Sequence, residues 1–252
     1  MSLLAALAIF AAGLAAGTVN VVVGSGTLIT FPTLLALGYP PVLANVSNNV
    51  GLVPGNLSGV IAYRPELRGQ QARLVKLGMA SIAGGVTGAV LLLALPGTVF
   101  RAAVPVLIVV ACLLMAIQPR LTRALEQRGD RRAHGGAALF AGVFVTGAYG
   151  GYFGAAQGVI LIALLAIFID DELQRLNAAK NMLVMLVNVV AGIVFVAITH
   201  VSWSVVGLIA AGSIVGGQVG GRVGRRLPAP VLRWVIVGVG LVVAVILAVE
   251  WR

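Results

Sequence analysis

The stretch Gly17-Thr-Val-Asn-Val-Val-Val-Gly-Ser-Gly-Thr27, followed shortly by Leu43-Ala-Asn-Val-Ser-Asn-Asn49, places glycine, hydroxyl and amide groups inside long apolar runs. Glycine beside Ser and Thr interrupts helical backbone. In a bilayer the freed backbone groups are tolerated only where they are buried in protein or line a wet cavity. The stretch therefore predicts a polar cavity at membrane depth.

The composition is that of an integral membrane protein. Of the 252 residues, 60% are hydrophobic and only 10% are charged, and the mean hydropathy is +1.08. Soluble domains carry about 25% charged residues. The 33 glycines and the lack of alternating segments predict packed helices rather than a β-barrel. We therefore expect an all-α polytopic membrane protein, located in the inner (plasma) membrane.

The net charge of +10 comes largely from arginines at the ends of apolar runs. Basic segments placed in this way follow the positive-inside bias of membrane proteins, so we expect the lipid bilayer as a partner and no nucleic acid. The single cysteine, Cys112, excludes an internal disulfide. No charged segment precedes the apolar run 3–23, so we predict a retained membrane helix rather than a signal peptide.

The apolar runs follow one order twice. Run 3–23 is long enough to span a bilayer and is broken at 24–26. The half-length run 27–37 comes next. A helix with polar residues, a basic segment and two plain helices then follow. From Gly136 the order restarts, with a break at 154–158. Each repeat is predicted to hold a glycine-broken helical hairpin plus three transmembrane helices, about 8 membrane helices plus short half-helices in all. We predict one domain, 1–252, divided into repeat 1 (1–118), a basic cytoplasmic connecting loop (119–134) and repeat 2 (135–252).

The alignment of the two halves pairs Gly17 with Gly147 and Gly24 with Gly154, and after a short slip it pairs Ser47 with Lys180. Chance similarity between glycine-rich sequences is the alternative. Two topologies remain open. If each hairpin crosses the membrane, the basic turn at 222–233 lies opposite the other basic segments. If each hairpin returns to its starting side, all three basic segments share one side, and the halves are inverted repeats, as in many secondary transporters.

The breaks are candidate anion sites. Gly24, Ser25 and Gly26 expose N–H groups at the start of the following half-helix, and these groups favour an anion together with the helix dipole. Thr27 adds a second hydroxyl, and Gln157 stands at the equivalent break. Close helix packing is the alternative explanation for each break alone, but two matched breaks favour a site.

Asparagines share one face of the helix after each hairpin. Asn45, Asn48 and Asn49 stand at i, i+3 and i+4, and the second repeat matches this face from Asn177 to Asn188. Interhelical hydrogen bonding is the alternative role of these amides. The residues that we predict to bind substrate are Asn20, Gly24, Ser25, Gly26, Thr27, Asn45, Ser47, Asn48, Asn49, Tyr152, Gln157, Lys180, Asn181 and Asn188.

Lys180 and Tyr152 each have two interpretations. An ionisable residue inside a membrane segment is a functional candidate by default, so Lys180 is a ligand for an anion, unless it snorkels to the interface. Tyr152 either gates a ligand or anchors the helix at the interface. The apolar runs hold no carboxylate, and the chain shows no metal-ligand or catalytic spacing. We therefore expect an anionic substrate, no metal, no cofactor, no catalytic residue and no enzymatic activity.

Gly24-Ser-Gly26 with Phe31-Pro32, then Gly38-Tyr-Pro-Pro41 and Ala44-Asn-Val-Ser-Asn48, resembles the TauE/SafE sulfite exporter family. The second half, from Gly147 to Gly192, is similar to the family's second repeat. The resemblance implies transport of small sulfur-containing anions such as sulfite, sulfoacetate or other sulfonates. The family's usual Gly-Thr-Ser motif falls on residues 46–48 and 179–181. Lysine in place of threonine at 180 suggests a substrate with an extra negative charge or a carboxylate.

The sequence thus predicts a secondary-type transporter that exports such anions by alternating access around a midplane site. An anion channel, a permease for another small carboxylate or oxyanion, and a non-transporting membrane accessory protein are the alternatives. The chain has no Walker-type ATP-binding motif, so a gradient or a separate subunit must supply the energy. A homodimer and a coupling ion, H⁺ or Na⁺, are left open.

Overall fold

The computed structural model describes residues 1–126, 136–223 and 229–250, and within these ranges the chain forms ten α-helices and no strand. The helices are α1 (Leu3–Val22), α2 (Thr27–Ala36), α3 (Pro41–Ala62), α4 (Gln71–Ala94), α5 (Gly97–Glu126), α6 (Ala137–Tyr152), α7 (Gln157–Phe168), α8 (Leu173–Ile198), α9 (Trp203–Val223) and α10 (Ala229–Glu250). The prediction of an all-helical protein is confirmed for these residues.

The helices make the chain a multi-pass membrane protein. In the described ranges five helices are long and apolar enough to cross a membrane, namely α1, α4, α5, α8 and α9. Helices α2, α6 and α7 are apolar but shorter. The described ranges hold ten helices, and the count of about eight membrane helices plus half-helices stays a prediction. Helix α5 continues to Glu126 and so includes the start of the predicted connecting loop; residues 127–134 of that loop, and 224–228 of the basic turn, lie outside the described residues.

Both broken hairpins return to the side on which they start. The Tyr39 hydroxyl, just after α2, lies 3.9 Å from the sulfur of Met1, ahead of α1. In the second hairpin, Gly142 of α6 faces Leu164 of α7, while Gly150 near the end of α6 faces Gln157 at the start of α7. The two helices of each hairpin are therefore antiparallel.

The returning hairpins place Arg64, Arg68 and Arg222 at one end of the helix bundle. Helix α3 runs away from Met1 and ends at the segment with Arg64 and Arg68. This segment packs against the first turn of α8, where the Arg175 side chain donates to the Arg68 carbonyl at 3.2 Å. Arg222, in the last turn of α9, lies at the same end by the direction of its helix. Arg101 lies at the other end, in a cavity that Tyr39 also lines. This asymmetry is what the positive-inside bias describes.

Glycine seams join each hairpin to the opposite half of the chain. Helices α1 and α9 run parallel, with Gly13 and Gly17 against Ile209 and Ser213. Helices α4 and α6 also run parallel, with Gly88 against the backbone of Ala148 and Tyr152, and α5 packs against α10. A Cβ at many of these glycines would overlap the facing backbone. Small residues at such spacing are what allow membrane helices to approach closely.

Two salt bridges at the basic end share Asp171, which lies in the turn before α8; one joins the turn to α4 and the other joins it to the first turn of α8. The Asp171 carboxylate accepts from the Arg73 guanidinium at 2.8 Å and from Arg175 at 2.7 Å. Burial alone raises the pKa of the Asp171 carboxyl, but hydrogen bonds from Arg73, the Glu172 N–H and Arg175 outweigh burial and hold that pKa below its ordinary value. The carboxylate therefore stabilises the folded protein at neutral pH.

The seam between α1 and α9 can be tested with two glycines of one helix. A Cβ at Gly216 would lie 2.0 Å from the Leu14 carbonyl oxygen, whereas a Cβ at Gly207 meets nothing within 4 Å. We expect Gly216→Ala to destabilise the protein by about 1–3 kcal/mol through overpacking. Gly207→Ala is expected to be neutral or slightly stabilising, because alanine is the better helix former. The apparent melting temperatures of the two variants in detergent measure both effects. Equal melting temperatures would contradict the close packing of α1 against α9.

Replacing Asp171 by Asn is expected to lower stability at neutral pH by about 1 kcal/mol. Because the pKa of Asp171 is lower in the folded than in the unfolded protein, its contribution is lost as the pH falls through the folded pKa. The difference in apparent melting temperature between wild type and Asp171→Asn should therefore shrink as the pH is lowered. Glu172→Gln, at an exposed neighbour, is the control and should melt like the wild type throughout.

Candidate functional site

The two helices before the breaks end in the same way. The N–H groups of Val23 and Gly24 both donate to the carbonyl of Val19, at 2.7 and 3.1 Å, and those of Phe153 and Gly154 both donate to Tyr149, at 2.9 and 3.1 Å. Gly24 and Gly154 have φ values of +87° and +80°, a conformation that glycine adopts without steric cost. The glycines of the two breaks therefore end α1 and α6.

The two breaks touch each other. The N–H of Gly158, at the start of α7, donates to the carbonyl of Gly24 at 3.1 Å. A Cβ on Gly24 would lie 2.5 Å from the Cα of Gly158. The predicted pairing of the breaks at one place in the protein is therefore present in the structure.

Helix α8 supplies donors to the carbonyl end of α1. Lys180 Nζ lies 3.4 Å from the Asn20 carbonyl and 3.3 Å from that of Val21, and the side-chain amides of Asn177 and Asn181 donate to Val21 at 3.3 and 3.4 Å. Lys180 is 1% exposed, so its side chain does not snorkel to the interface. The last carbonyls of a helix have no partner within the helix, and here α8 provides one.

Helix α3 does the same for α6, with fewer donors. The Asn45 side-chain amide donates to the carbonyl of Tyr152, the last residue of α6, at 3.0 Å. Ser47, which aligns with Lys180, accepts from the N–H of Ser202 at 3.0 Å instead. Ser47 therefore binds the segment before α9 rather than a break. The two halves cap each other's broken helix, and among the described residues a lysine caps the first break alone.

Asn20 organises the first break. Its side-chain oxygen accepts from the Gly26 N–H at 3.3 Å, and its amide nitrogen donates to the Asn56 side chain on α3. The Gly26 N–H, which we expected to face an anion, is therefore bound to Asn20 in this conformation. In the second half the residue equivalent to Asn20 is Gly150. The side-chain amide of Gln157 fills the space that a side chain at position 150 would occupy.

The remaining predicted asparagines join helices near the breaks. Asn48 on α3 donates to the Thr27 hydroxyl at 3.4 Å and accepts from that of Thr30. The Asn49 amide donates to Asn188 on α8 at 3.2 Å, where α3 and α8 cross. These contacts are the interhelical hydrogen bonds that the sequence offered as the alternative role of the amides.

Four buried side chains near the breaks keep polar atoms without a partner in the described residues. They are the Ser25 hydroxyl, the Gln157 amide nitrogen, the Asn56 amide nitrogen and the Asn49 amide oxygen. Ser25 is 1% exposed and Gln157 is 2% exposed. A buried polar group without a partner costs about 1–3 kcal/mol, so these atoms call for an explanation. Three of the four are donors.

Aromatic rings cover the breaks. Phe31 of α2 packs edge-to-face on Phe153 of the second break at 5.3 Å, and Phe100 of α5 packs on the Tyr152 ring at 5.6 Å. The Tyr149 hydroxyl donates to the Ala155 carbonyl at 2.6 Å and so holds the second break from within. The Tyr152 side chain therefore belongs to an aromatic cluster, while its backbone carbonyl binds Asn45.

Sequence reasoning did not single out Thr30, and it placed Ala156 in the second break without predicting its backbone conformation. Thr30 lies three residues after Thr27 and three before Thr33 on α2, and this spacing is the signal that could have found it. Ala156 has φ +59°, a left-handed conformation that alanine rarely adopts and that signals strain at a site; no sequence pattern marks such a residue. In the described ranges no group of three or more His, Cys, Asp or Glu residues could hold a metal ion.

Two broken hairpins that meet inside a bundle of apolar helices define a multi-pass membrane protein with a polar centre. The chain belongs to the sulfite exporter TauE/SafE family, whose model matches residues 9–247. The predicted resemblance is thereby confirmed, and the family is one of membrane transporters.

The chain is also similar to proteins named as probable membrane transporter proteins. One from a Sinorhizobium species, ORF9, is 26% identical over 94% of this chain and 90% of its own length. One from Haemophilus influenzae is 26% identical over 83% of this chain and 81% of its own length. YfcA from Escherichia coli K12 is 26% identical over 83% of this chain and 77% of its own length.

The contact between the breaks can be tested with glycines that share a left-handed φ. Gly24→Ala meets both a strained backbone and Gly158, whereas Gly38→Ala, at φ +84°, meets nothing within 4 Å. We expect Gly38→Ala to cost about 1 kcal/mol for backbone strain, and Gly24→Ala to cost at least about 1 kcal/mol more because of overpacking. Apparent melting temperatures measure the two costs. Equal losses would show that the contact contributes nothing.

Proposed function

We propose that this protein is a secondary transporter that exports small sulfur-containing anions, such as sulfite, sulfoacetate or other sulfonates, across the inner membrane. The observation that carries the proposal is the meeting of the two breaks with buried donors that lack a partner, Ser25 on one side and Gln157 on the other. Donors inside a protein that have no acceptor suit the oxygens of an anion.

The donor set fits a compact oxyanion. The Ser25 hydroxyl and the Gln157 and Asn56 amides offer neutral N–H and O–H groups, and Lys180 supplies the positive charge. Such hydrogen bonds to a charged group are stronger than those between neutral groups. We propose that these groups bind the anion, and that the other predicted residues position them through the contacts described above.

The pattern of helix contacts supports inverted repeats. Each half has five helices in the same order, and the first helix of each half lies parallel to the fourth helix of the other. The third helices cross each other, as do the fifth. We propose that the halves are inverted repeats, with the basic end of the bundle in the cytoplasm, and that transport proceeds by rocking of one bundle against the other.

The aromatic cluster favours a carrier over a channel. Phe31 and Phe153 are 1% and 3% exposed and pack against each other beside the breaks. They lie toward the end of the bundle that holds Met1 and Tyr39, because α2 runs from the break to that end. We propose that this cluster closes the site from the outside in the present conformation.

A thermal-shift screen of the purified protein tests the proposal directly. We expect sulfite or a sulfonate with net negative charge, such as sulfoacetate, to raise the apparent melting temperature more than sulfate, lactate or the zwitterion taurine at equal ionic strength. The anion that stabilises the protein should also leave loaded proteoliposomes at a saturable rate. Stabilisation by none of these anions, together with no flux, would contradict the proposal; flux that does not saturate would indicate a channel.

Removing one donor should weaken binding of the stabilising anion. A hydrogen bond to a charged group contributes about 1.5–3 kcal/mol, so Ser25→Ala and Gln157→Leu should each lower the affinity about tenfold or more. Ser81→Ala is the matched control, because its buried hydroxyl also lacks a partner in the described residues but lies in α4, against Gly147. An equal loss in the Ser81 variant would contradict the assignment of the site.

A further inference from the structure

Lys180 is a fully buried lysine without a carboxylate partner in the described residues. Its side chain lies two turns inside α8, is 1% exposed, and directs Nζ to the carbonyls of Asn20 and Val21. Within the described residues no carboxylate pairs with it, since the Asp171 carboxylate at the start of α8 is engaged by Arg73 and Arg175. A buried charge is costly unless it is paired, so the carbonyls must compensate it.

The carbonyl end of α1 is suited to that role. The aligned peptide dipoles give a helix C-terminus a partial negative charge equivalent to about half an electron. This end lies inside the protein, where no solvent screens it, because α1 breaks at Gly24. Val21 alone receives three donors, from Asn177, Lys180 and Asn181, although a carbonyl oxygen has two lone pairs. The site therefore directs one lysine and two neutral amide donors at a single carbonyl.

In transporters with broken helices, unwound carbonyls and the C-terminal ends of half-helices are where Na⁺ binds. Here the Lys180 ammonium lies at such an end. The equivalent end in the second half has no cation, because Ser47 binds Ser202 and the neutral Asn45 amide caps Tyr152. The positive charge is thus specific to the first break and is built into the chain.

We propose that Lys180 is a resident cation that fills the Na⁺-type position at the carbonyl end of α1, so that the first break is formed without Na⁺ and this position takes no part in Na⁺ coupling. Shortening the side chain would leave oxygen ligands, the carbonyls of Asn20 and Val21, to which Na⁺ can bind. The consequence for coupling rests on the proposed transport function, whereas the occupancy of the position does not.

The test compares wild type, Lys180→Ser and Lys180→Met in detergent, with NaCl, KCl or N-methylglucamine chloride at equal ionic strength. The wild type should melt at the same temperature in all three salts. Lys180→Ser should melt several degrees lower in N-methylglucamine and regain part of the loss in NaCl only. Lys180→Met fills the space without a charge, and should be destabilised in every salt. Lys76→Ser, at the other lysine of the chain, which is exposed on α4, is the control and should resemble the wild type.

Stabilisation of the wild type by Na⁺ would overturn the proposal, and so would a Lys180→Ser variant that melts like the wild type or gains nothing specific from Na⁺. If Lys180→Ser aggregates without Na⁺, the melting measurement is replaced by detergent extraction. The variant is extracted once in NaCl and once in N-methylglucamine chloride, and the two samples are compared for monodispersity. A monodisperse protein in NaCl alone supports the proposal, and aggregation in both salts contradicts it. No substrate is present in these measurements, so failure of the anion screen and failure of this inference remain distinguishable.

Discussion

A helix that stops inside an apolar bundle leaves carbonyl groups that must find donors, because neither lipid nor a continuing helix can supply them. In this protein the donors come from the opposite half of the chain. Helix α8 binds the end of α1, and α3 binds the end of α6. The breaks, their contact through Gly24 and Gly158, and the position of the polar centre all depend on this exchange.

The two halves share a scaffold but not its chemistry. The helices before the breaks end with matching hydrogen bonds to Val19 and Tyr149, yet the first end is capped by an ammonium group and two amides and the second by one amide. A side-chain amide lies beside the break in both halves. In the first half it belongs to Asn20, and in the second it belongs to Gln157, which packs against Gly150, the residue equivalent to Asn20. Similar geometry is thus obtained from residues that do not align.

Much of this architecture can be predicted from the sequence, because glycine and polar residues are rare and conspicuous in apolar runs. The two breaks, the half-length helices and the position of a lysine inside an apolar run follow from composition and spacing, whereas the burial of that lysine does not. The partners do not follow. Nothing in the sequence shows that Asn45 binds the carbonyl of Tyr152, or that Ser47 binds Ser202 while its aligned partner Lys180 binds α1. Such pairings connect residues far apart in the chain, and only the packing of the helices determines them.

The parallel seams also bear on how the protein is made. The first helix pairs with α9, which is about 190 residues later in the chain, so α1 enters the membrane long before its partner exists. Until α8 and α9 are synthesised, the break after α1 lacks its caps and its glycines face lipid or the insertion machinery. The native packing of the N-terminal half is therefore a late event, and neither half taken alone contains the contacts that would complete it.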